Sequence, residues 1–197
     1  MATLLTGFGA FASTGHAAAP ARQTASFVFT TEEPGRSAGL SFSVDWRDPA
    51  NPSGKPYSVA RVTIESPPGA TIDTGALARC TASDAQILAE GDSACPAASR
   101  LGGGTILSDT GSSAGFPRFV ENRVVNFNGD REQIGVAESV GIPPVPGVGR
   151  VVTRTTIRGR TSSFDVPAFP GNPPPDNYNA FRTLRLTGKP AGTAARP

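Results

Sequence analysis

Short runs of alternating apolar and polar residues recur along this chain, divided by clusters of proline, glycine and asparagine. Successive side chains of a strand point to opposite faces, so each alternating run predicts a strand with one buried face. Phe27 and Phe29 alternate in this way. The cleanest run follows, with Leu40, Phe42, Val44 and Trp46 in phase and Ser41, Ser43 and Asp45 opposite them. Ala60, Val62 and Ile64 then alternate with Arg61, Thr63 and Glu65 ahead of the turn Pro67-Pro68-Gly69. Further strands are predicted at Thr105–Leu107, Phe119–Phe127, Gln133–Val136, Val151–Ile157, Ser163–Val166 and Phe181–Leu186. Asn128-Gly129 is the strongest hairpin signal, because both residue types accept the left-handed backbone of a tight turn. Gly102-Gly103-Gly104 predicts a close backbone approach or a bulge. The proline-rich stretches 49–56, 141–149 and 167–177 are loops. About eight to ten short strands with such punctuation predict an all-β fold, an antiparallel β-sandwich of immunoglobulin-like or jelly-roll-like type. A single up-and-down barrel is the second architecture.

One helix interrupts the strands, inside Arg79–Gly104. Ser83 and Gln86 have capping-box spacing, in which each side chain satisfies a backbone donor that the helix start leaves open. Asp84 suits the positive end of the helix dipole. Gly91 supplies the stop. Only about two turns fit, too few for independent stability. The sole cysteines, Cys80 and Cys95, flank this helix. A disulfide closing a loop of that size contributes roughly 3 kcal/mol. A zinc site would need further ligands, and no histidine lies nearby. The spacing also differs from a C-x-x-C redox pair. Two cysteines in an exported chain therefore predict a Cys80–Cys95 disulfide that clips the helix in place.

Export is the expectation from residues 1–19, where Leu4–Ala12 is a short apolar core and Ala17-Ala18-Ala19 precedes Pro20. That is the pattern of a secretory signal, atypical in that no Lys or Arg precedes the apolar core. A single domain over 20–188 and a disordered tail over 189–197 complete the organisation. No stretch approaches the roughly 18–20 apolar residues of a membrane-spanning helix. The 197 residues carry a net charge of +2, and the arginines are scattered rather than clustered. No basic patch with interleaved aromatics is present, so nucleic acid is not an expected partner. The only histidine, His16, lies inside the signal-like stretch and would be lost with it.

Losing it narrows the chemistry. Gly111-Ser112-Ser113-Ala114-Gly115 matches the G-x-S-x-G elbow in letters alone, because Gly115-Phe116-Pro117 does not open a helix and no histidine base remains. Gly147-Val148-Gly149 lacks the third glycine and the helix of a dinucleotide site. No cofactor is expected. Carboxylates are the remaining acid–base candidates: Asp45, Asp48, Glu65, Glu121, Glu132, Glu138 and Asp165. A glycosidase requires two of them facing each other, and spacing pairs none. With the arginines on alternating strand positions, they are expected on solvated faces. Asp45, Asp48 and Asn51 could meet a calcium ion from one loop but lack the EF-hand spacing. Tyr57 and Tyr178, beside proline-rich loops, are candidates for stacking on a sugar ring, whereas the phase of Trp46 predicts burial.

Around Pro67-Pro68-Gly69, Ala78-Arg79-Cys80 and Cys95-Pro96-Ala97-Ala98-Ser99 the chain resembles an uncharacterised group of exported proteins from GC-rich bacteria. The resemblance extends over about Thr24–Leu186 and is specific only around the cysteines. It implies a secreted, disulfide-bonded, strand-rich fold and carries no activity with it. The function expected on these grounds is a non-catalytic structural or binding module at the cell envelope, with an envelope glycan or another surface protein as partner. The alternative is a secreted glycan-active enzyme using a carboxylate pair.

Overall fold

Nine antiparallel strands form where alternation places them. In the computed structural model, which describes residues 21–31, 33–111, 117–141, 149–167 and 180–190, these are β1 (Gln23–Phe29), β2 (Leu40–Trp46), β3 (Arg61–Glu65), β4 (Arg100–Asp109), β5 (Phe119–Asn128), β6 (Glu132–Ser139), β7 (Arg150–Arg158), β8 (Thr161–Asp165) and β9 (Ala180–Gly188). The helix α1 spans Asp84–Glu90, and short 3-10 turns follow at Gly91–Ala94 and Ala97–Ser99. The signal-like stretch 1–19, Ser113 and most of its motif, most of the 141–149 loop, Tyr178 and residues 191–197 lie outside the described residues.

The nine strands belong to one hydrogen-bonded sheet, in the order β1-β2-β9-β4-β5-β6-β7-β8-β3. That corrects the expected architecture: the ladders do not divide into two stacked sheets, and the sandwich is not confirmed. The sheet curls instead into a half-barrel. Strands β4 to β8 form a meander, and β9 returns to pair with both β4 and β2. Curling brings the far ends together through side chains. Val62 of β3 and Val166 beyond β8 pack with Phe181 of β9, and Trp46 of β2 joins that cluster. The Trp46 and Phe181 rings lie 5.6 Å apart. A sequence read strand by strand cannot distinguish this from a sandwich, since both ask each strand for one inward face.

Close backbone approach explains the triple glycine. A Cβ at Gly102 or Gly104 would collide with the carbonyl oxygens of Thr187 and Arg185 on β9. The β4–β5 register shifts between Arg100 and Gly102, so the bulge expected from these glycines is present as well. The β5–β6 hairpin also forms, by other means than Asn128-Gly129 suggested. Gly129, Asp130 and Arg131 make the turn, and the left-handed residue is Arg131, at φ 58°. Asn128 is buried and serves elsewhere.

Candidate functional site

Strands β5, β6 and β7 are covered on both faces, and the two faces differ in chemistry. On the convex face Val125, Val136 and Val152 lie opposite one another across the three strands, as do Phe127 and Ile134. Ile87 of α1 and the two cysteines pack on these side chains. Helix α1 starts with the capping box, in which Ser83 Oγ accepts from the Gln86 amide and Gln86 Oε1 accepts from the Ser83 amide. It stops at Gly91, whose φ of 73° suits glycine. Cys80 and Cys95 are joined in a disulfide.

Arginines hold this layer to the sheet. Arg150 donates through Nη1 to the Leu88 carbonyl at 2.8 Å, satisfying an acceptor that the helix end leaves open. Its Nε donates to Glu138 Oε1 at 2.8 Å, and Glu138 also accepts from Arg123 at 2.7 Å. Arg123 reaches Asp92 at 3.1 Å. Arg154 pairs with Asp84 and Glu132 and donates to the Ala82 carbonyl at 3.1 Å. The hydrogen bond from Arg123 holds the Glu138 carboxyl below its ordinary range against the effect of burial, and Arg150 adds to this. Asn128 completes the attachment: its side-chain amide donates to the carbonyls of Thr74, Leu77 and Ala78, and its main-chain carbonyl accepts from the Cys80 amide. Arg123, Arg150, Arg154, Glu132 and Glu138, expected on solvated faces, thus fasten the helical layer.

The remaining carboxylate candidates are also engaged. Asp45 pairs with Arg185 at 2.7 Å, Asp165 with Arg61 at 2.6 Å, and Glu65 with Arg160. The Arg61 hydrogen bond holds Asp165 below its ordinary range. Two carboxylates do share an arginine at Arg123 and at Arg154, but in each case the guanidinium lies between them. A glycosidase acid needs the opposite, a carboxyl raised by its surroundings. Glu121 is the exception, with no side-chain partner among the described residues.

The calcium candidates do not converge. Asp48 caps a turn by accepting from the Ala50 amide, and Asn51 Oδ1 accepts from the Gly54 amide. Neighbouring carbonyls of the same loop are taken by guanidinium groups: Ser53 O accepts from Arg118 at 2.9 Å, and Gly54 O accepts from Arg182. Both arginines also pair with Asp109, whose side chain is fully buried. Burial alone would raise the Asp109 carboxyl, but Arg182, Arg118 and the Gly111 amide together hold it below its ordinary range. Among the described residues no three His, Cys, Asp or Glu side chains gather as a metal site. Tyr57 is exposed, with the Arg22 guanidinium 4.3 Å above its ring, so one stacking face is already covered.

The concave face holds what the sequence did not reveal. Every strand contributes to a cavity of about 220 Å³ inside the curl, and the segment after β3 adds Ala70, Thr71 and Ile72 to its wall. Phe27, Phe29 and Phe181 line it on one side together with leucines and an isoleucine, and Phe164 lines it from β8. Opposite them β5 to β7 present hydroxyls and amides. Asn122 Oδ1 accepts from Ser139 at 2.8 Å, and the Asn122 amide donates to Ser108 at 3.2 Å. No lining residue among those described carries a charge. In β8, Ser162 borders the cavity, is 6% exposed, and its hydroxyl has no hydrogen-bond partner. One signal pointed here: apolar residues at adjacent positions, as in Val124-Val125, are what a strand buried on both faces shows. Against family models, curated proteins and solved structures alike, the chain finds no match. Among the described residues no helix is long and apolar enough to cross a membrane.

Proposed function

We propose that the protein is an exported, non-catalytic binding module of the cell envelope, and that the cavity on the concave face is its binding site. The carrying observation is a cavity of about 220 Å³ to which all nine strands contribute and whose described lining residues carry no charge. Small-molecule sites are concave and largely apolar, with a few placed polar groups, and that is the composition of this wall. Acid–base or nucleophilic chemistry would need a titratable group at the reacting atom. The wall offers hydroxyls and carboxamides, which orient a ligand rather than exchange protons with it at neutral pH. Export is supported by the signal-like residues 1–19 and by the Cys80–Cys95 disulfide, since such bonds persist in oxidising compartments. The likeness to exported proteins of GC-rich bacteria supports the same location.

Intact mass of the exported protein, with alkylation before and after reduction, tests the location. A mass starting near Pro20, with thiols that react only after reduction, is the expected result. Retention of Met1 with two reactive thiols would overturn export. Turnover of an envelope polymer by the purified protein, lost in Glu138→Gln, would overturn the non-catalytic reading.

A further inference from the structure

The wall of the cavity is chemically divided, and the division specifies a ligand. On the side formed by β1, β2 and β9 it is hydrocarbon, with Phe27 and Phe181 presenting aromatic rings, and Ile106 of β4 extends it. On the side of β5 to β7 the register sets Asn126, Gly135 and Thr153 in a row. A Cβ at Gly135 would lie 2.6 Å from Thr153 Oγ1 and 3.3 Å from Asn126 Oδ1, so two polar ends meet over bare backbone there. Ser162 adds a buried hydroxyl without a partner. A buried hydroxyl left unsatisfied destabilises the fold that holds it, and alanine at that position would remove the cost. The serine is therefore unfavourable to the empty fold, and its hydroxyl, turned about the Cα–Cβ bond towards the cavity that the residue borders, would find its partner in a hydrogen-bonding ligand.

An ionised ligand would enter a site with no counter-charge among its described residues, so the cost of removing it from water would go unrepaid. The 220 Å³ volume exceeds the ~150 Å³ that admits benzene and falls short of the ~300 Å³ at which drug-sized pockets begin. A rigid ring loses less conformational freedom on binding than a flexible chain of equal area, and ring faces suit the phenylalanines. Resting on the reading of the cavity as the binding site, we infer that its ligand is an uncharged compound of one or two fused rings that carries a hydroxyl group. The ring system lies against the phenylalanine side, and the hydroxyl is held by the polar side, with Ser162 as a partner.

The test uses the purified full-length chain and three probes of one shape: 2-naphthol, naphthalene and 2-naphthoate. Trp46, the only tryptophan, packs against Phe181 of the wall and reports occupancy by its fluorescence. The expected result is one 2-naphthol bound per chain, naphthalene about fivefold weaker, and 2-naphthoate at least about tenfold weaker. Ser162→Ala should lower 2-naphthol affinity about fivefold, leave naphthalene unchanged, and melt no earlier than the parent. Ala137→Phe, or the smaller filling Ala137→Leu if the first fails to fold, should remove or weaken binding of both neutral probes. Equal binding of naphthalene and 2-naphthol, or an unchanged Ser162→Ala variant, would overturn hydroxyl recognition. Tightest binding of 2-naphthoate would overturn the uncharged class. Either result, with binding still lost on filling the cavity, leaves the cavity as the site. Absence of all binding, or binding indifferent to position 137, would overturn the inference and the cavity reading together.

Discussion

The two faces of β5 to β7 use the same strands and opposite chemistry. On the convex face the arginines are matched beneath the helix: Arg123, Arg150 and Arg154 meet carboxylates and helix carbonyls, and a disulfide closes the layer. On the concave face there is no charge among the described wall residues, a volume is left open, and one hydroxyl is orphaned. Satisfied polar networks fix one arrangement of a layer, whereas unsatisfied ones await a partner. The difference therefore separates a face built for attachment from a face built for occupancy.

Breaking the convex face should have the larger effects. Replacing Cys80 and Cys95 with serine removes the loop closure and should cost about 3 kcal/mol. For a chain of this length that lowers Tm by about 10 °C in a thermal melt. Arg150→Met keeps the apolar stem but abandons Glu138 and the Leu88 carbonyl, and should cost about 2 kcal/mol in a denaturant titration.

Acid offers a reagent-free version of the same cut. Glu138 is held below its ordinary range, so the unfolded chain binds that proton first as pH falls. Its contribution is fully present above the unfolded value of about 4.3 and is lost as pH drops through the lower folded value. Asp109 acts in the same direction through Arg182 and Arg118. Melts between pH 7 and pH 3 should show the loss, with a shallower acid limb in Arg150→Met. Occupancy of the cavity should stay flat across the range over which the fold persists, since nothing in its described wall titrates.

The smallest effect has the most diagnostic sign. Ser162→Ala on the concave face should raise stability by about 1 kcal/mol in the unliganded protein, a gain of about 2–4 °C in Tm. A loss instead would mean that the hydroxyl already has a partner, and the contrast between the faces would weaken.

The clip was legible residue by residue because it is local. Ser83, Gln86 and Gly91 act on backbone groups a few positions away, and Cys80 and Cys95 face each other across one short helix. Strands were legible for the same reason, and Leu40–Trp46 appears with the bounds its alternation gives. Arginine function was not. Arg150 and Arg154 repeat at a strand spacing that equally suits water, and only the helix laid across β7 makes them clamps. Asn128 likewise resembles a turn residue until residues 74–78 come within reach of its amide.

By itself, then, the sequence determined the strands, the capped helix and the pairing of its cysteines, since propensity, capping and short loop closure act over a few residues. The tertiary structure alone decided that nine strands make one curled sheet, that arginines fasten the convex layer, and that a cavity without charge among its described residues opens on the other side. Those outcomes depend on which distant strands pair and how far the sheet coils. Such contacts join residues more than a hundred positions apart, as when Asp45 of β2 meets Arg185 of β9. No local pattern encodes them.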